Sequence, residues 1–354
     1  MNNTLLTLLL FFSIACSDKQ DIVLHTNSIS DILTYNQLLQ QIGKERLYRS
    51  VEEPNVDGSL GRNKDGYFHV RFQINMTTIS DYVIVSEDIQ ALETLYATIA
   101  YAFQHQESDG GFELVVPEEI LNASYYTPPG PGDLLSGTAF FASSLGLTLM
   151  SLDNSQWYNQ SAQTRGVREA ITFMRPQFEN MLNYLMSGSE ILIQMDAQAP
   201  NRLLFDALAY YSLGEYLTRN DAIALAHEFM HAALAQTDTV EGYFIEGGGW
   251  DSSYNGVAIK LAMELYLLTE DTETKVLLKS GFLDATVWQL SRISANGEIS
   301  TEGNTRVYEG GESFLGAEKG VDYVKVAKAL LYFGYLTCEP AIVELGDAVI
   351  DYYN

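Results

Sequence analysis

Positive charge is scarce in this chain. Among 354 residues, 20 Lys and Arg stand against 46 Asp and Glu, a formal charge of −26. Such a surface repels phosphate backbones and argues against nucleic acid as a partner, though a local Arg/Lys cluster could still hold an anion. Cysteine is nearly absent, with only Cys16 and Cys338. No disulfide framework is available, so stability must come from a packed core. No uninterrupted apolar run reaches the roughly 18 residues that a spanning helix needs. What the chain does have is an ordinary globular balance, 47% hydrophobic and 19% charged, long enough for a sizeable core.

Residues 1–16 read as an export signal. Leu5 to Phe12 is a short apolar run, and Ser13-Ile14-Ala15 places a small residue before Cys16. With Ser17 and Asp18 following, this resembles the lipobox of bacterial lipoproteins. The resemblance implies acylation of Cys16 and attachment to a bacterial membrane, the outer membrane by preference, facing the periplasm or the surface. Residues 17–30 are polar and read as a tether.

Residues 31–85 are expected to hold a helix and a small β segment. Ser30-Asp31 can cap a helix carrying Leu33, Leu38, Leu39 and Ile42. Phe68, Val70, Phe72, Ile74 and Met76 alternate strictly with His69, Arg71, Gln73 and Asn75, which predicts a half-buried strand. Tyr82–Val85 is a second candidate strand and would complete a hairpin. Asp57-Gly58 and Asp65-Gly66 punctuate the loop before it.

From about residue 86 the pattern becomes helical to the end. Helices are expected near 87–106, 134–151, 164–187, 202–217, 221–236, 254–268, 272–292, 321–336 and 340–353, several of them apolar on more than one face. The loops between them repeat. Gly242-Tyr-Phe-Ile-Glu246-Gly247 precedes Tyr254 and an apolar helix; Gly297-Glu-Ile-Ser-Thr-Glu302-Gly303 precedes Tyr323 and another. Asp109-Gly-Gly-Phe-Glu113 is a diverged third copy. A loop-plus-two-helices unit repeated in this way is an array of helical hairpins. The pattern over 86–354 resembles the α/α-toroid of polysaccharide lyases and some glycoside hydrolases, an incomplete or closed ring with its long loops at one mouth. That resemblance implies a mainly α fold and a polysaccharide or oligosaccharide substrate, without a cofactor.

The candidate chemistry follows the loops. Trp250, Asp251, Tyr254 and Asn255 offer a stacking face with donors and acceptors around it, as a small-ligand pocket requires. The loop 297–319 adds Glu302, Asn304 and Arg306, with Glu312, Glu318 and Lys319 in the same stretch. Glu246 of the first copy matches Glu302 of the second, as Tyr254 matches Tyr323, and Arg202 opens a helix near Asp196. If the substrate carries uronates, β-elimination needs a group to neutralise the carboxylate (Asn255, Arg306 or Arg202) and a base and an acid (Tyr254 or Tyr323). If it is neutral, hydrolysis needs two carboxylates, Asp251 with Glu302 or Glu246. A surface protein that binds glycan without turnover fits the same residues. A separate reading comes from His227-Glu228-Phe229-Met230-His231, an H-E-x-x-H that could bind zinc with Glu264 as third ligand; packing of the same helix face is the favoured alternative, so no metal is expected.

Overall fold

The computed structural model describes residues 33–354. Cys16, the signal-like run and the tether lie outside the described residues. The described residues are mainly helical, beginning with α1 (Tyr35–Ile42), α2 (Lys44–Tyr48), α3 (Met76–Ser86) and α4 (Ile89–Gln104). A long connection carries α5 (Glu118–Leu121) and leads to α6 (Pro131–Asp153), followed by α7 (Gln156–Gln160), α8 (Arg165–Phe173), α9 (Arg175–Ser187) and α10 (Ser189–Met195). Then come α11 (Pro200–Leu217), α12 (Asn220–Leu234), α13 (Ser252–Leu268) and α14 (Thr272–Leu290). A two-stranded antiparallel hairpin, β1 (Ser313–Phe314) and β2 (Ala317–Glu318), precedes α15 (Tyr323–Thr337) and α16 (Pro340–Tyr353).

Local chemistry sets most helix starts. Asp88, Asp251, Asp271 and Asp322 accept backbone N–H bonds as N-caps of α4, α13, α14 and α15. Proline opens α6, α11 and α16, where its missing N–H costs nothing. Thr34, not Ser30, starts α1, in a capping box with Gln37.

Two classes of helix alternate. The helices α6, α11, α13 and α15 are buried around most of their circumference, whereas α4, α12 and α16 bury one face. The helix α6 is long and apolar enough to cross a membrane by composition, but 83% of that stretch is buried inside the protein. These four helices, with α1 and α3, pack in order: α6 on α11, α11 on α13, α13 on α15, α15 on α1, α1 on α3, and α3 back on α6. At one end, short links join each to its outer partner. Glu87, Thr218 and Cys338 end α3, α11 and α15 with φ of +54°, +62° and +58°. The lone described cysteine is therefore a helix-ending residue.

At the other end, the loops carry a turn repeated four times. Gly58, Gly110, Gly242 and Gly297 all have φ between +83° and +97°. A Cβ at Gly58, Gly110 or Gly297 would lie 2.1 to 2.3 Å from a backbone oxygen of α4, α9 or α16 respectively. At Gly242 it would lie 2.7 Å from Asp284 Cβ on α14. Each glycine thus lets a loop press on an outer helix, and the copy at Gly58 was not apparent in the sequence pattern.

The expected β segment is a correction. Phe68 pairs only in an isolated bridge with Val115, after which Val70–Asn75 forms a 3-10 helix and Met76–Ser86 forms α3. The supposed solvent face is buried: Gln73 is 0% exposed, donating to Gly58 O and Thr98 O and accepting from Leu60 N and Asn63 Nδ2. With both faces buried, period-two alternation selects nothing. Tyr82–Val85 is the last part of α3, a run too short for periodicity to discriminate.

Candidate active site

The two glycine-rich loops are stitched together. Asp251, fully buried, accepts four backbone N–H bonds: from Ser253 and Tyr254 of its own helix, and from Arg306 and Val307 of the other loop at 3.1 and 2.8 Å. Asn304 accepts from Ser252 N and donates to Ser252 Oγ and Val307 O. Asn255 accepts from Phe244 N and donates to Ala285 O and Gln289 Oε1. These three residues, expected to face a substrate, instead hold the loops in place with their polar atoms engaged. Trp250 is likewise a clamp. It packs on Gly303, meets Tyr243 edge-on, and Arg292 lies over its ring at 5.2 Å.

Glu302 is exposed and makes no side-chain bond to the described residues, while Asp251, its expected partner in hydrolysis, has both oxygens taken by backbone N–H groups. Tyr323 stacks on Tyr353 at 5.0 Å and donates to Asn354. It borders a separate polar cavity of about 510 Å³ between the starts of α3 and α15, with Lys260 and Lys328 among its lining residues.

What the stitching does bring together is Tyr254, Arg306, Glu246, Glu312 and Lys319. Arg306 lies 4.6 Å above the Tyr254 ring, and its Nε and Nη2 grip Glu312 at 3.1 and 3.0 Å. Its Nη1 donates to Glu246 Oε1. The Tyr254 hydroxyl donates to Glu312 Oε2 at 3.1 Å, and Lys319 Nζ donates to Glu312 Oε1 at 2.7 Å. Glu312 therefore collects donors from three side chains and, despite some burial, is held down to about 2 by Lys319 and Arg306.

Glu246 behaves oppositely. It is 2% exposed, and burial pushes it up to about 7 although Arg306 pulls it down. The asymmetry has a simple cause: Arg306 is shared with Glu312, and Glu246 Oε2 is buried with no partner among the described residues. Tyr254 is raised well above the ordinary phenol range, chiefly by burial, and stays protonated at neutral pH.

Two further groups border this cluster. Arg202 bridges to Asp196 at 3.1 Å, and Ser136 also donates to Asp196. Asp206, fully buried beside Asp196, is raised by burial and by that carboxylate. On the other side stands Arg71, from the 3-10 turn, within electrostatic reach of Arg202, Lys319 and Tyr254. Its guanidinium lies 5.3 Å from the Phe140 ring and 5.4 Å from the Phe314 ring. Sequence reasoning placed Arg71 on the solvent side of a strand. The available signal was a lone Arg in an aromatic stretch, which the period-two reading absorbed.

The zinc alternative does not assemble. His227 bonds Thr274 on α14, His231 is exposed, and Glu264 is fully buried with its Oε1 on Lys260 Nζ. No group of three His, Cys, Asp or Glu side chains suited to a metal occurs among the described residues.

No family model matches this chain, and no curated protein matches it. Among solved structures it is similar to a sugar epimerase from a ruminal bacterium, at 12% identity and a TM-score of 0.45, over 86% of this chain and 84% of that one.

Proposed function

We propose that this chain is a carbohydrate-active enzyme of the α/α-toroid type that cleaves a uronate-containing glycan by β-elimination at the Tyr254–Arg306–Glu246 cluster. One observation carries the reading. A buried carboxyl held near neutrality, a protonated phenol and a group of cations converge where two repeated loops meet, in a protein otherwise strongly acidic. The cyclic packing order of α6, α11, α13, α15, α1 and α3 supports the ring.

In β-elimination the C5–H bond breaks and its electron pair forms the C4=C5 double bond. The C4–O bond then breaks with its pair on oxygen. The cation cluster neutralises the uronate carboxylate and so acidifies C5. Glu246, whose Oε2 has no partner among the described residues but is closed off from solvent, takes the C5 proton once the covering loops part; Tyr254 gives its proton to the leaving oxygen. Asn255 and Asp251, buried with their polar atoms engaged, take no part, and the engagement of Asp251 counts against hydrolysis with either Glu302 or Glu246 as its partner.

Purified protein is incubated with a panel of acidic and neutral polysaccharides while unsaturated-product absorbance and reducing ends are followed together. The expected result is absorbance on an acidic substrate, abolished in Tyr254→Phe and Glu246→Gln. Reducing ends without absorbance would replace elimination with hydrolysis. Binding without either would leave a glycan-binding protein.

The same proposal includes export and acylation at Cys16, supported by the apolar run and small residues before it. Cys16→Ala is expected to leave the protein unprocessed or in the unanchored fraction. Equal membrane retention of the variant would refute the anchor.

A further inference from the structure

We propose that Arg71 is the receptor for the substrate carboxylate, and that the hairpin β1–β2 is a removable cover over it. This rests on the acidic-glycan reading of the site and adds the residue that selects for the acid.

Arg71 stands in an imbalance of charge. The chain has 46 acidic residues, yet no side-chain nitrogen of Arg71 has a hydrogen-bond partner among the described residues. The two nearest aromatic rings, Phe140 and Phe314, are neutral, and Arg202 and Lys319 are like charges. Asp133 is within electrostatic reach but makes its bond to Gly130 N. A partly buried guanidinium with no counter-ion is costly, and an arriving anion would relieve that cost. None of its nitrogens is sealed from solvent, so the donors remain available.

Its geometry suits a carboxylate. Aromatic rings on guanidinium faces leave the N–H edges free, and those edges match two carboxylate oxygens side by side. The backbone is also pinned, because Arg71 N donates to His69 Nδ1 at 3.3 Å. His69 is buried against α6 and pushed down to about 3 by burial and by Arg71, so it stays neutral and adds no competing charge. Lys319 and Arg202 extend the positive field towards Tyr254 and Glu246, where elimination would occur.

The cover is the hairpin. Phe314 lies against Arg71 and meets Phe72 edge-on at 5.7 Å. The turn has φ of +49° at Leu315 and +77° at Gly316. Its two legs end at Glu312 and Lys319, the residues that tie to Arg306 and Tyr254. Glu312 thus occupies with its own carboxylate the donors that an incoming acidic sugar would contest. Binding at Arg71 and release of the hairpin legs are coupled through the same ions.

The test measures binding. Wild type, Arg71→Gln and Phe314→Ala are titrated calorimetrically with a glucuronate-containing oligosaccharide, with its carboxyl-reduced neutral counterpart, and with inorganic phosphate as competitor. Wild type is expected to prefer the acidic ligand by about tenfold or more, and Arg71→Gln to lose that preference while keeping its affinity for the neutral ligand. Phe314→Ala is expected to associate faster with selectivity unchanged. The Arg71→Gln melting temperature should not fall, since an unpaired charge is removed. Retained preference in Arg71→Gln overturns the receptor. So does an equal loss for both ligands, or phosphate competing as well as the uronate. Selective binding without cleavage would keep the receptor and reject the elimination. Normal cleavage by Arg71→Gln with unchanged KM would do the reverse.

Discussion

Glu246→Gln should leave the protein equally stable at pH 4 and make it more stable at pH 8. In the folded chain burial holds the Glu246 carboxyl near 7, against an ordinary 4.5. The folded state therefore keeps a proton that the unfolded chain has released. The stability this supplies is full below about pH 4.5 and is lost as pH rises through 7. The difference corresponds to roughly 3 kcal/mol at alkaline pH. Gln has the shape of the protonated acid, so it keeps the low-pH state at every pH. Arg306 is not stranded by the change, because Glu312 still accepts from its Nε and Nη2. For a chain of 354 residues, 3 kcal/mol is about 4 °C in melting temperature. Melting curves of both proteins across pH 4 to 8 isolate the one group, since all other titrations are common to the two. A variant less stable than wild type at pH 8 would show the Glu246–Arg306 pair to be net stabilising and the raised carboxyl to be wrong. The same raised carboxyl predicts an activity profile with an alkaline-rising limb near neutrality if Glu246 is the base.

Other substitutions separate pins from chemistry. Asp251→Ala strands four backbone N–H groups and is expected to cost about 3–5 kcal/mol, seen as a lower denaturation midpoint. Gly297→Ala forces a Cβ to 2.1 Å from Ala348 O at φ +91°, and a loss of at least about 2 kcal/mol should appear in the same assay. Lys328→Ala leaves the buried Asp81 short of its 2.6 Å partner and should cost about 3–5 kcal/mol, largely recovered in Lys328→Met/Asp81→Leu. His231→Ala, on an exposed position of α12, should change neither melting temperature nor turnover; loss of stoichiometric zinc by elemental analysis would reinstate the metal reading.

The long helices from α4 onward were legible because their signals are local, whereas the short α5, α7 and α10 were not expected and the helix expected over 164–187 is two, α8 and α9. Alternating burial leaves a 3.6-residue period, Asp caps and N-terminal prolines mark starts, and the Gly242 and Gly297 turns carry the same few residues before each helix. The Gly58 turn was not legible, since only its glycine and its role against α4 are shared. Arg71 failed for a related reason. A stretch buried on both sides obeys no two-residue rule, so Phe68–Met76 looked like a strand and hid a 3-10 turn.

The sequence by itself determined a mainly helical chain, its repeated loops, its acidity, and the stretch in which Tyr254, Glu246 and Arg306 lie. Those follow from periodicity, capping and composition, which act between near neighbours. Only the tertiary structure decided which loop residues are pins and which are chemistry. Asp251, Asn255 and Asn304 look as reactive as Tyr254 until their partners are known. Hydrogen bonds across 30 or more residues engage them, while Glu246 keeps an oxygen unpaired and Arg71 keeps its donors. Burial and pairing are properties of distant chain segments brought into contact, and no local pattern encodes them.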